Sequence, residues 1–339
     1  MRAAIVPPLE VLMRLYGPIG AGICAGVVLG ALLQRFAPTA PNSPAPLGLY
    51  QQVPLRLGQF LFWLGIPLSI VGFMRRADLS GNLYLAPVVA WSAILLGLLC
   101  SRLWIRRTPQ DWWPRPTQGS FSLAAMLGNT GYIGYPVVLL LPQLGVGVFG
   151  WALFYDALGT LLGSYGLGAI LASEMGGQNS NSSRSRQRQW LARLRAVGLN
   201  PIILAFGLGL GLKAIALPAW LDRGLYQFAW AIVVLSLVLM GLRIQQLNSW
   251  QHLHRATVAV AIKMLVLPLA VGIGLTLLGV DGAPRLVMIL QAGMPCAFSN
   301  LVLAEAYDLD RDLSVTCVGL SSASLLLTLP LWLWAFSGE

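Results

Sequence analysis

The feature that most constrains this chain is a succession of apolar runs, each long enough to cross a bilayer, joined by short links. A spanning helix takes about 20 mainly apolar residues, because the hydrocarbon core is about 30 Å thick and a helix rises about 1.5 Å per residue. Ten such runs can be marked, at 15–36, 55–73, 84–104, 119–142, 146–172, 199–217, 225–242, 256–279, 284–305 and 313–336. Ten spans in 339 residues leave no room for a separate soluble domain. Charged residues make up 10% of the chain and hydrophobic ones 57%, whereas a soluble domain carries about 25% charged residues on a surface that must face water. The sequence therefore predicts an all-α polytopic membrane protein set in a lipid bilayer.

The net charge of +10 arises from 22 Lys and Arg against 12 Asp and Glu. The basic residues lie mostly in short links, where they orient the chain rather than recruit nucleic acid. Fourteen of them flank the links that follow odd-numbered spans, seven lie on the opposite side, and Lys263 falls within a span. This bias predicts a cytoplasmic loop at 173–198, containing GGQNSNSSRSRQRQ, and extracytoplasmic termini, in a plasma (inner) membrane. Arg102, Arg106, Arg107 and Arg115, with Trp104, Trp112 and Trp113, read as a cytoplasmic interface anchor, and the sequon Asn181-Ser182-Ser183 has no meaning on that side. The first apolar run lacks an A-x-A cleavage site and reads as a span rather than a signal peptide. Cys24, Cys100, Cys296 and Cys317 sit inside apolar runs, and His252 and His254 are the only imidazoles, so neither a disulfide framework nor a metal site nor a cofactor is expected.

The long loop divides the spans into a first set of five at 1–172 and a second at 199–339. An odd number per set reverses the polarity of the second, the arrangement of an inverted repeat. LSIVG ending at Gly72 matches LVLMG ending at Gly241, and Gly17-Pro18-Ile19 opens the first run as Asn200-Pro201-Ile202 opens the sixth. GNTGYIGYP (128–136) in the fourth run has a counterpart in AGMPCAFSN (292–300) in the ninth, and setting Gly128 against Pro295 gives an offset of 167, in step with the 169 of Gly72 and Gly241. Gly and Pro interrupt the helical hydrogen-bond ladder, and bare N–H and C=O groups are tolerated in a membrane only where protein, water or a ligand satisfies them. A restarting half-helix presents free N–H groups and the positive end of its dipole, so two of them near midplane would suit a carboxylate or another anion. Gly22, Gly26 and Gly30, four residues apart, read instead as a packing stripe.

GNTGYIGYP resembles the GNTGFxGxP-type motif of bacterial members of the auxin efflux carrier family, relatives of the plant PIN-formed transporters. MPCAFSNLVLAEAYDLDRDLS (Met294 to Ser314), followed by LLLTLPLWL, resembles the family's signature over its last two spans. Asn200-Pro201, and Lys263 with Pro268, also match. The resemblance implies a ten-helix fold like that of bile-acid:sodium symporters, two inverted five-helix repeats with broken helices 4 and 9 crossing at the centre. Helices 1, 2, 6 and 7 would form a scaffold, and helices 3–5 and 8–10 a core that carries the substrate in an elevator-like motion. Carried over, the crossing falls at Gly128-Asn129 and Pro295-Cys296, and the expected substrate-binding residues are Gly128, Asn129, Thr130, Pro295, Cys296, Asn300 and Lys263. Cys296 stands where relatives carry a carboxamide, with Asn300 one turn on, which leaves auxin itself open as the cargo.

Asp156 and Lys263 each lie within a span, where a charge costs about 2.5–3.5 kcal/mol on insertion scales. In one reading Lys263 serves the anion while Asp156, with Gln291 nearby, couples transport to a proton or sodium gradient. In the other, Asp156 and Lys263 form a structural ion pair, or Lys263 snorkels to the interface, and Gln291 makes an interhelical hydrogen bond. Glu305, Asp308, Asp310 and Asp312 read as a solvated turn, with Asp312 capping the tenth span. The expected function is a secondary transporter of a small organic anion such as a carboxylate or an auxin-like acid; related folds often dimerise through the scaffold, so a homodimer is open. A channel, or a sensor that binds an anion at the crossing without moving it, is the alternative. An enzyme is disfavoured, since no HExxH, GxSxG or GxxxxGK[ST] motif is present.

Overall fold

A computed structural model describes residues 9–35, 49–176, 198–245 and 252–336. The sequon at 181–183 and most of the 173–198 loop lie outside the described residues, as do both ends of the chain. In chain order the helices are α1 (Leu9–Arg35), α2 (49–74), α3 (Leu85–Arg107), α4 (Arg115–Met126), α5 (Thr130–Leu140), α6 (149–175) and α7 (Pro201–Lys213). They continue with α8 (Ala219–Gln245), α9 (Leu253–Leu277), α10 (Gly282–Ala292), α11 (Ser299–Ala306) and α12 (Arg311–Phe336). Among the described residues there is no strand, and the one extended pairing is an isolated bridge between Gly128 and Cys296.

Among the described residues six segments, in α1, α2, α3, α8, α9 and α12, are long and apolar enough to cross a membrane. Large apolar side chains such as Trp63, Leu204, Leu277 and Leu327 are more than half exposed, a surface suited to lipid. The chain is a polytopic integral membrane protein. Of the other four apolar runs, the fifth folds as the continuous α6 with π-helical turns at Asp156–Leu161 and Ser164–Gly168, and three fold as shorter or interrupted helices, for reasons visible in the sequence. The fourth breaks at Gly128-Asn129, where Leu127 is already extended, and the ninth breaks between Gly293 and Phe298. The sixth gives only the 13 residues of α7: Asn200 caps it by accepting from the Ile202 amide at 2.9 Å, and Lys213 ends it with its ammonium on the Ala77 carbonyl at 2.5 Å.

Small residues set how the helices pack. A methyl group on Gly26 would lie 2.9 Å from Gly241 Cα, and one on Gly241 would lie 2.8 Å from Gly26 Cα, so α1 and α8 meet backbone to backbone. Gly22 and Gly30 fit against Leu237 and Gln245 of the same helix, which confirms the stripe as packing. Phe73 of α2 meets Tyr226 and Trp230 of α8 edge-on at 5.9 and 5.6 Å, and α7 packs on α2, completing one bundle from α1, α2, α7 and α8. The remaining helices pack chiefly on one another.

Two local expectations are corrected. Trp113 is no interface anchor: it is buried, meets Phe121 at 4.8 Å and donates its indole N–H to Thr108 Oγ1 at 2.6 Å. The cap of α12 is Asp310, not Asp312: Asp310 Oδ1 accepts from the Leu313 amide at 2.9 Å, and its other carboxylate oxygen accepts from Thr117 at 2.8 Å. Asp310 thereby ties the start of α12 to the start of α4.

Candidate functional site

The interruptions in the fourth and ninth runs lie side by side. Asn129 N–H donates to the Pro295 carbonyl at 2.7 Å, and Ala297 N–H donates to the Leu127 carbonyl at 3.0 Å, on either side of the bridge. Backbone groups released by one break are thus satisfied by the other, the condition for irregular chain at membrane depth. Cys296 completes the junction, its amide donating to Ser321 Oγ at 3.0 Å and its thiol to the Ala124 carbonyl at 3.3 Å.

Asn129 starts the restarting segment: its Oδ1 accepts from the Tyr132 amide at 3.1 Å. Its Nδ2 is buried and has no partner among the described residues. A buried amide donor left unpaired costs about 1–3 kcal/mol, so this group is poised for an acceptor. Thr130 donates to Asp156 Oδ1, and Tyr135 donates to Asp156 Oδ2 at 2.7 Å. Thr130, Asp156 and Lys263 all occupy wide, π-helical turns, at Thr130–Gly134, Asp156–Leu161 and Ile262–Val266. Such turns are rare and concentrate at functional sites. Indole N–H groups take up carbonyls inside two of them, Trp91 on Leu158 at 3.1 Å and Trp332 on Met264 at 3.0 Å.

Lys263 is 3% exposed and donates its ammonium to the Ala292 carbonyl at the C-terminal end of α10. A cation there meets the negative end of the helix dipole. It makes no ion pair with Asp156 among the described residues, and it is too buried to snorkel. It packs behind Gly128, where a methyl group would sit 2.8 Å from Lys263 Cε. Gln291 lies against Gly134 with both amide atoms buried and unpaired among the described residues. Asn300 donates to the Leu123 carbonyl at 3.3 Å and keeps its Oδ1 unpaired in the same sense.

A cavity of about 360 Å³ lies beside the crossing, between it and the α1–α2–α7–α8 bundle. Gly128, Asn129, Thr130 and Asp156 line it; Pro295, Cys296, Asn300, Lys263 and Gln291 surround the crossing without reaching the wall. Phe62, Ile66 and Leu239 form its opposite, apolar side, and both restarting segments begin at it, through Gly131 and Tyr132 on one break and Phe298 and Ser299 on the other. Tyr132 and Phe298 meet edge-on at 6.1 Å. Arg243 also lines the cavity. It escaped the sequence reading because an arginine in the last turn of a span is indistinguishable there from an orienting charge. Phe298 and Ser299 were within reach, since both fall inside AGMPCAFSN.

The sequence profile described as membrane transport protein matches residues 56–333. An uncharacterized transporter of Methanothermobacter thermautotrophicus is 33% identical over 285 residues, covering 81% of this chain and 87% of that protein. An uncharacterized transporter of Methanocaldococcus jannaschii is 27% identical over 221 residues, covering 64% of this chain and 68% of its own. With its broken-span motifs, its apolar helices and this match over most of its length, the chain belongs to the membrane transport protein (auxin efflux carrier) family and is a membrane transporter, not an enzyme.

Proposed function

We propose that this transporter is a secondary carrier of a small organic anion, such as a carboxylate or an auxin-like acid, and that the anion binds in the cavity beside the crossing. The observation that carries the reading is the Asn129 carboxamide: its buried, unpaired Nδ2 belongs to a residue that lines the cavity where both helices restart. A carboxylate there would accept that N–H and meet the positive ends of two helical segments. The cavity volume of about 360 Å³ falls in the range of about 300–1,000 Å³ that holds small ligands. Its apolar far wall suits the hydrocarbon part of such an acid.

The proposed transport cycle uses the same arrangement. Ten spans form two inverted repeats, at 1–172 and 199–339, whose broken members pair at the crossing. The α1–α2–α7–α8 bundle is the scaffold, and the remaining helices are a core that carries the anion past it. The cavity wall includes Leu55 and Gly58 near the start of α2, Arg243 at the end of α8 and Val302 in α11. These positions border the first, seventh and ninth links, which the charge bias assigns to the cytoplasm, so in this reading the cavity faces inward. Asp156, beside Asn129 and bonded to two hydroxyls, is the group that couples the anion to a proton or sodium gradient. Lys263 holds the crossing from behind.

Asn129→Asp tests the site. The variant keeps an oxygen for the Tyr132 amide and exchanges the unpaired donor for a negative charge. Loss of a hydrogen bond to a charged ligand costs about 1.5–3 kcal/mol, so anion uptake into proteoliposomes should fall about 10- to 100-fold with insertion and folding intact. Wild-type uptake by Asn129→Asp would place the binding site elsewhere.

A further inference from the structure

Arg243 stands in the last turn of α8, half-buried, on the wall of the cavity across from Asn129 and Thr130. A methyl group on Gly58 would lie 3.7 Å from its Nη2, which fixes the guanidinium beside the α2 wall. It makes no hydrogen bond or ion pair with any described residue. The charged groups that could neutralise it are engaged elsewhere. Both oxygens of Asp156 accept hydroxyl hydrogen bonds from Thr130 and Tyr135, and Glu305, whose charge reaches Arg243 only through space, is paired with Arg311 at 2.9 Å. A guanidinium facing a partly apolar cavity without a directly bonded counter-ion is costly unless a ligand supplies the charge, and its planar fork matches a carboxylate in two parallel hydrogen bonds.

We infer that Arg243 is the charge partner of the transported anion and the residue that makes the site prefer an acid over its neutral analogue. The inference rests on the carrier reading above and adds to it where the charge is recognised. The crossing supplies uncharged donors from the core, and Arg243 supplies the counter-charge from the bundle that the core slides against. The anion is therefore held most tightly while the two bundles enclose this cavity, and it leaves Arg243 behind when the core moves. Recognition of charge and release of cargo are in this way coupled through one side chain of the scaffold.

The test uses the purified full-length chain and a pair of probes that differ in charge, indole-3-acetate and indole-3-acetamide, with binding followed by ligand-dependent thermal stabilisation. Arg243→Gln should reduce the acid-over-amide preference about 10- to 100-fold, the worth of charge-assisted hydrogen bonds to one carboxylate, while Arg243→Lys keeps most of it. Gly58→Asp reaches the same end by another route, since a Cβ at Gly58 would lie in ordinary contact 3.7 Å from Nη2 and bring a carboxylate within reach of the guanidinium. Gly58→Asn, of equal bulk and no charge, should lose about tenfold less. If Arg243→Gln fails to fold, the Gly58 pair decides the matter. An undiminished acid preference in Arg243→Gln and Gly58→Asp, with loss of binding in Asn129→Asp, would overturn the role of Arg243 and leave the site standing. Stabilisation by neither probe and by no other carboxylate would overturn the carrier reading and this inference together.

Discussion

Gly128→Ala is the most informative test of how the crossing is held. The added methyl group would sit 2.8 Å from Lys263 Cε and 2.9 Å from its Nζ, against an optimum of about 3.5–4.0 Å for carbon atoms. The lysine is the movable partner, but its ammonium is buried and bonded to the Ala292 carbonyl, so yielding means giving up that bond. A lost hydrogen bond from a charged donor is worth about 1.5–3 kcal/mol, and overpacking adds about 1 kcal/mol, for a total cost of about 2–4 kcal/mol. In a Lys263→Ala background both clashing atoms are gone, and the nearest remaining neighbour is the Met294 carbonyl oxygen at 3.4 Å. There the same substitution should cost less than about 1 kcal/mol, giving a coupling of about 1–3 kcal/mol in a double-mutant cycle. The assay is reversible unfolding of the four proteins in mixed micelles. Equal losses in the two backgrounds would refute the placement of Lys263 against the crossing.

Two further predictions concern the α1–α8 contact and the proposed coupling group. Gly241→Ala drives a methyl group into the Ile23 carbonyl and Gly26 Cα, which are backbone and cannot step aside; it should destabilise the protein by about 2–3 kcal/mol, measured by thermal unfolding in detergent. Asp156→Asn removes the titratable group held by Thr130 and Tyr135; gradient-driven uptake should lose its dependence on imposed pH while substrate counterflow persists, and an unchanged pH dependence would remove Asp156 as the coupling group.

What the sequence makes legible follows from how strongly the bilayer constrains it. A chain in lipid must satisfy its backbone within each span, so run length alone locates α3, α9 and α12 closely, and Gly-Asn and Pro-Cys in the middle of apolar runs mark where the ladder breaks. The pairing of the two breaks rests on backbone hydrogen bonds that no side-chain pattern specifies. Lys263 illustrates a different limit. Its burial is readable, but the alternatives of an ion pair and snorkelling omit the helix end that receives it, because the Ala292 carbonyl is freed only by the break at Gly293. Trp113 was misread because tryptophans beside arginines at a span end favour the interface on average, whereas this one has a Phe121 ring to cover it. Arg243 was missed for the same statistical reason: whether a terminal arginine faces headgroups or a cavity depends on what packs beside it, here the Gly58 face of α2.

The central claim is that the chain moves an organic anion by alternating access. Its most direct test is uptake of labelled indole-3-acetate, and separately of labelled malate, by proteoliposomes of the purified protein under an imposed proton or sodium gradient, followed by counterflow without a gradient. The account predicts saturable uptake of at least one of the two acids, driven by a gradient, competed by unlabelled carboxylates and accompanied by counterflow. Flux that rises linearly without counterflow would make the protein a channel, and binding without any flux would make it a sensor; either result contradicts the carrier.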